Sequence, residues 1–139
     1  MKLIQLSILF VAMFLLVSCD NVGEAVSNKA QNFAVSTLAE EVNKKTPQMV
    51  DQETELYKAA AVGSNLQYHY KLVNYSKAQL DTAFFEKNMK KQLYSSTCEN
   101  EKLKPLLSLG AGVSYHYVDK NSEALVDFLV TPEDCKAGA

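Results

Sequence analysis

The chain has 139 residues, 47% of them apolar, and sets 14 lysines, with no arginine, against 16 acidic side chains for a net charge of −2. That is room for one small domain, too hydrophobic to stay disordered, and beyond the first 19 residues it has no apolar run that could span a bilayer. Without arginine there is no guanidinium fork to grip phosphates or guanine edges, and the slightly acidic balance excludes nucleic acid as an expected partner.

Lys2 supplies a positive start, and Leu3 to Leu16 form an apolar stretch broken only by Gln5 and Ser7, the pattern of an export signal. It ends Leu16-Val17-Ser18-Cys19, which resembles the lipobox of bacterial lipoproteins. The resemblance implies cleavage before Cys19 and acylation of that cysteine. Two or three acyl chains anchor stably where one holds only reversibly, because each buried methylene contributes about 0.8 kcal/mol. The competing reading is an ordinary secretory signal with Cys19 a spare thiol. Asp20 and Asn21 resemble the signal that retains enterobacterial lipoproteins in the inner membrane. The expected location is therefore the cell envelope, on the inner or outer membrane facing the periplasm, with the inner favoured in an enterobacterium. Signal peptide 1–18, acylated cysteine and tether 19–46, and a folded domain 47–139 are the expected divisions.

From Asp20 to Lys45 the chain is polar, and Val22, Val26, Phe33, Leu38 and Val42 are loosely spaced for one helical face. A helical tether is expected, ended by Pro47. Val62-Gly63-Ser64-Asn65 is turn chemistry, and the segment after it alternates Leu66, Tyr68, Tyr70, Leu72 against Gln67, His69, Lys71. This predicts a hairpin with one buried face, although Ala59-Ala60-Ala61 in its first arm has poor strand propensity and leaves a helix open there.

Ser76 is the expected cap of a long helix carrying Leu80, Phe84, Phe85, Met89 and Leu93 and ending near Ser96. A short helix around 102–109 is closed by Gly110. Val113, Tyr115 and Tyr117 then alternate with Ser114 and His116, residues 119–123 turn, and 124–131 form a last strand stopped by Pro132. The economical fold is α+β: a four-stranded antiparallel sheet of two hairpins, covered on one face by one long and one short helix.

Three cysteines are an odd number, but setting Cys19 aside for lipid leaves Cys98 and Cys135, which an oxidising compartment pairs by default. Free thiols, or Cys98 as a nucleophile, are the alternatives. No histidine or basic side chain lies near Cys98 in sequence to activate it.

From Pro47 to Cys135 the chain resembles a small uncharacterised extracytoplasmic family. The likeness rests on Pro47, Val50-Asp51 with Thr54, Tyr68-x-Tyr70-x-Leu72-Val73, Cys98, Leu106-Leu107 with Gly110, Tyr115-x-Tyr117-x-Asp119, and Val130-Thr131 leading to Asp134-Cys135. It implies a fold and a compartment and supplies no reaction.

Tyr-His-Tyr occurs at 68–70 and again at 115–117, so in each strand two tyrosines share one face and a histidine takes the other. His69 and His116, with Asp119 or Asp127, could be read as a metal site. Two histidines are an incomplete zinc set, however, and no third ligand is spaced to join them, so no metal or cofactor is expected. No Gly-x-Ser-x-Gly or other nucleophile signature is present, Gly110-Ala111-Gly112 leads into a strand rather than a helix, and the acidic pairs Glu40-Glu41 and Glu133-Asp134 read as solvated faces. The expected function is non-enzymatic. The chain reads as an envelope interaction module, a secretion or assembly accessory or an exclusion factor, that is held to the membrane by its lipid and binds another envelope protein. Binding of a small ligand or metal is the alternative.

Overall fold

The computed structural model describes the backbone of residues 20–137 and the side chains of residues 25–137. The leader and Cys19 lie outside the described residues, and of Asp20 and Asn21 only the helical backbone is described. The elements run α1 (Asp20–Asn43), β1 (Gln48–Met49), β2 (Thr54–Val62), β3 (Asn65–Leu72), a 3-10 turn (Lys77–Gln79), α2 (Thr82–Glu99), α3 (Lys104–Ser108), β4 (Val113–Val118), β5 (Ala124–Val130) and α4 (Pro132–Lys136).

The fold is α+β, with one sheet in the order β1-β2-β3-β4-β5. Two expectations need correction. The sheet has five strands rather than four, because the two-residue β1 pairs with the start of β2 through Gln48 and Met49; a strand that short leaves no alternation to read. Nor is the sheet wholly antiparallel: β3 and β4 run parallel, Tyr68 beside Tyr115 and Tyr70 beside Tyr117. The chain between them carries α2 and α3 and returns to the end from which β3 started, which is the connection a parallel pair requires.

The β2–β3 loop is Gly63-Ser64, with Gly63 at φ +59°, the place where a tight hairpin turn asks for glycine. The alanines of β2 do form a strand. Ala59 is buried against the core, and both its backbone groups on the sheet edge are taken by Asn43, whose Nδ2 donates to the Ala59 carbonyl at 2.8 Å while its Oδ1 accepts from the Ala59 N–H at 2.8 Å. Tertiary context thus overrides weak local propensity, and the end of α1 covers an edge that would otherwise be open.

The segment expected as a tether is helical, but its second half belongs to the packed domain. Val35 and Ala39 are buried and Ala34, Leu38 and Val42 pack beside them, whereas Phe33 stands 75% exposed. α1 lies on β2 and β3, and α2 on β5, over one shared core. Among the described residues no helix is long and apolar enough to cross a membrane.

Ser76 caps the 3-10 turn rather than the long helix. The N-cap of α2 is Asp81, which accepts from the Phe84 N–H at 3.0 Å. That later start rotates the stripe so that Phe85 meets Tyr117, at 5.5 Å between ring centroids, while Phe84 is 68% exposed. Pro132 does more than stop β5: it opens α4, capped by Thr131 and Asp134, whose side chains bond each other's backbone N–H.

α4 carries Cys135 to Cys98 near the end of α2, and the two are bonded with Cα atoms 5.3 Å apart. The bridge spans a sequence separation of 37 residues, so it removes loop-closure entropy from the unfolded chain worth about 4 kcal/mol. Replacing both cysteines by alanine is expected to lower the unfolding free energy by roughly 3–4 kcal/mol in urea denaturation, a large share of what holds a domain of this size.

Candidate functional site

In the parallel register the tyrosines of both Tyr-His-Tyr triplets share one face of the sheet and the two histidines share the other. On the helix-covered face Tyr68, Tyr70, Tyr115 and Tyr117 form one stacked cluster: Tyr70 lies 5.0 Å from Tyr117 and Tyr68 lies 5.7 Å from Tyr115, centroid to centroid, with interplanar angles of 19° and 30°. The Tyr115 hydroxyl is fixed. Thr97, buried on α2, donates to the Leu93 carbonyl at 2.5 Å, so the 2.5 Å contact between Thr97 Oγ1 and Tyr115 Oη is one in which the tyrosine donates.

Tyr68, Tyr70 and Tyr115 of this cluster floor a groove of about 360 Å³ between the C-terminal half of α1, the β1–β2 turn and the α2–α3 junction. Leu38, Val42, Leu56 and Leu103 form apolar walls over Tyr68 and Tyr70, and Glu41, Lys45 and Lys102 stand on the rim. Burial raises Tyr68 to about 12, assisted by neighbouring Tyr115 and Glu41. Tyr70 and Tyr117 are raised further, again first by burial, and then by the other tyrosines for Tyr70 and by Tyr115 and Asp51 for Tyr117. The hydroxyls are thus held neutral, as hydrogen-bonding groups in an apolar recess rather than as acids or bases. A second hollow, about 570 Å³, lies at the start of α2 between Leu72, Leu80 and Phe84, with Asp51 and Asp81 beside it. Its wall depends on exposed Phe84, whereas the first groove is built on residues anchored in the core.

On the opposite face His69 and His116 come together, their rings 5.4 Å apart. Of the two acids considered with them, Asp127 on β5 reaches His116, Oδ1 to Nδ1 at 2.6 Å. Asp119 does not join them. It is buried in the β4–β5 turn, where its carboxylate accepts the backbone N–H groups of Lys77, Asn121 and Glu123, each at 2.8 Å. Burial pushes its pKa up, but those bonds outweigh it and leave the pKa lowered. His69 is lowered by burial first, then by His116 and Lys58. Cys98 and Cys135 form the bridge described above and leave no free thiol at either position. Sequence reasoning missed the groove, because its outer wall is supplied by Leu38 and Val42 on the segment read as a tether.

Because the folded-state tyrosine pKa values lie above those of an unfolded chain, the stability they contribute is fully present below pH ~10 and is lost as the pH rises through the folded values. Alkaline titration followed by tyrosinate absorbance is expected to show a step near pH 12 that Tyr68→Phe removes. Unfolding midpoints should fall above pH ~10 in the wild type more steeply than in the Phe variant.

Three solved structures share the fold. A "putative secreted protein" from Pseudomonas aeruginosa matches with a TM-score of 0.67 and 18% identity, over 78% of this chain and 96% of that one. The type 2 secretion system pilotin EpsS from Vibrio vulnificus matches at 0.66 and 12%, over 80% and 96%, and the type II secretion system pilotin AspS from Vibrio cholerae at 0.65 and 19%, over 81% and 98%. No curated protein sequence matches significantly. A family model covers residues 26–136, from the second turn of α1 through the disulfide and α4, so the chain belongs to the family described as "putative quorum-sensing-regulated virulence factor".

Proposed function

We propose that the protein is a non-enzymatic accessory of a secretion or assembly machine in the cell envelope, lipid-anchored through Cys19, and that its groove holds an apolar-faced segment of another envelope protein. The observation that carries this reading is the groove itself: a floor of stacked, neutral tyrosines between leucine and valine walls, with a charged rim. Rigid aromatic floors give large contact area at low entropy cost, and charges at a rim set orientation more than affinity. The leader and lipobox support delivery to the envelope. The likeness of the fold to two secretion pilotins supports the choice of a secretion machine over other envelope processes.

A photocrosslinker placed at Glu41 in the full-length protein, in its native cells, should reproducibly capture one envelope protein, and one placed at Lys58 on the opposite side of the sheet should not. Tyr68→Ala is expected to weaken that capture by about 2 kcal/mol, roughly thirtyfold. Deleting the gene should lower protein secretion, and Leu38→Glu should reproduce the defect. Intact mass of the membrane-purified chain should show acyl groups beginning at Cys19. Unchanged secretion together with groove-independent capture would overturn the accessory role, and an unacylated mature chain would overturn the anchor.

A further inference from the structure

We propose that His69 and His116 form a two-imidazole site for a divalent transition-metal ion, zinc or copper, on the sheet face opposite α1 and α2. The proposal is independent of the groove. His69 on β3 and His116 on β4 are register partners in the parallel pair, so both side chains leave the same face from adjacent backbones. Two imidazoles bound to one tetrahedral ion at about 2.0–2.1 Å have ring centroids about 5 Å apart. The observed separation is 5.4 Å.

The second element is Asp127. Its contact with Nδ1 of His116, at 2.6 Å, places the ring proton on that nitrogen and leaves Nε2 with its lone pair free. A carboxylate holding the far nitrogen of a histidine is the usual outer-shell arrangement of imidazole metal ligands, where it fixes the tautomer and raises basicity. The pair is also reachable, since the His116 side chain is 25% exposed. Tyr57 leans on His69 with centroids 5.8 Å apart and restrains its ring. Lys58 is β3-paired opposite His69, and its charge opposes a cation there.

Among the described residues no cluster of three His, Cys, Asp or Glu side chains is placed to hold a metal. The described residues therefore supply two ligands, and water fills the remaining positions. Imidazole donors suit zinc and copper, with copper held more tightly by a given set of nitrogen ligands.

The test uses the full chain in detergent, without a polyhistidine tag, titrated with zinc chloride and separately with copper sulfate against a chromophoric chelator. One equivalent of each metal is expected to bind, copper more tightly. His69→Ala and His116→Ala should each abolish saturable binding, and Asp127→Asn should weaken it by roughly 10–100-fold. Metal should raise the unfolding temperature of the wild type and of none of the histidine variants. His69→Asn and His116→Asn, which keep a polar side chain on the strand, repeat the test if an alanine variant is poorly folded. No binding by the wild type, binding unchanged in the histidine variants, or loss on replacing only one of the two histidines would each overturn the site.

Discussion

The parallel pairing of β3 with β4 is the constraint on which the other features depend. A parallel pair places residue beside like residue without inversion, so two Tyr-His-Tyr triplets separated by 47 positions in the chain lie rung by rung: Tyr68 by Tyr115, His69 by His116, Tyr70 by Tyr117. Period-2 alternation then divides the six aromatic side chains cleanly. Four tyrosines stack on the helix-covered face, three of them, Tyr68, Tyr70 and Tyr115, lining the groove, and two histidines form a separate pair on the reverse. A shift of one residue in that register would exchange the faces, putting imidazoles in the core and phenols in water. The hydrophobic pattern of Leu66, Val113 and Val130, all fully buried, opposes such a slip.

A parallel pair has to be closed by a long crossover, and here the crossover is fastened at both ends of α2. At its start Asp81 caps the helix and Phe85 meets Tyr117 edge-on, at 76° between ring planes. Near its end Thr97 joins Tyr115 and the disulfide joins Cys98 to α4. Tyr94 adds a hydrogen bond from its hydroxyl to the Leu129 carbonyl at 3.1 Å, at the edge of β5. These links bear on β4 and β5 and on α4 just beyond, which are the last elements to be added in chain order. The entropic cost of the crossover loop is offset by covalent and hydrogen-bonded ties at the places where its ends meet the sheet.

The parts of this architecture that were legible in the sequence are those with a strong local signature. The Gly63-Ser64 turn, the alternation through β3, β4 and β5, and the Gly110 stop with its φ of +86° are all encoded within a few residues. What was not legible depends on contacts far apart in the chain. Strand direction cannot be read from alternation, since a parallel and an antiparallel partner show the same period. The fate of α1 was hidden for a different reason. Its burying face, Val35, Leu38, Ala39 and Val42, is made partly of small residues, while its most conspicuous apolar residue, Phe33, points into solvent. Asn43, which has no local signature in the sequence, holds the β2 edge through both polar atoms of its amide. The histidine pair was visible as two like triplets, but which acid would join it depended on β5 lying beside β4, opposite Asp127.

Burial of α1 also changes what an anchor at Cys19 would mean mechanically. A flexible tether would let the domain sample a hemisphere above the membrane, with the groove facing any direction. Helix α1 instead starts at Asp20, next to Cys19, and continues unbroken into the wall of the groove. At 1.5 Å per residue, Leu38 lies about 27 Å along the helix axis from its start. Under the proposed acylation, groove and lipid are therefore fixed to one rod. The groove's reach from the membrane is set by helix length, and its range of orientations by how far the rod can tilt about its acylated end. An accessory that must hold a partner segment close to a bilayer gains effective concentration from such a mount, because the distance is nearly constant instead of distributed over a coil. The glycine at position 23 is the residue in the first turn of α1 best able to relax that coupling, since glycine costs helix stability on the order of 1 kcal/mol relative to alanine. With an acyl anchor at Cys19, the rod would thus yield most easily near its start, and the domain would pivot as a unit without disturbing the walls that Leu38 and Val42 give the groove.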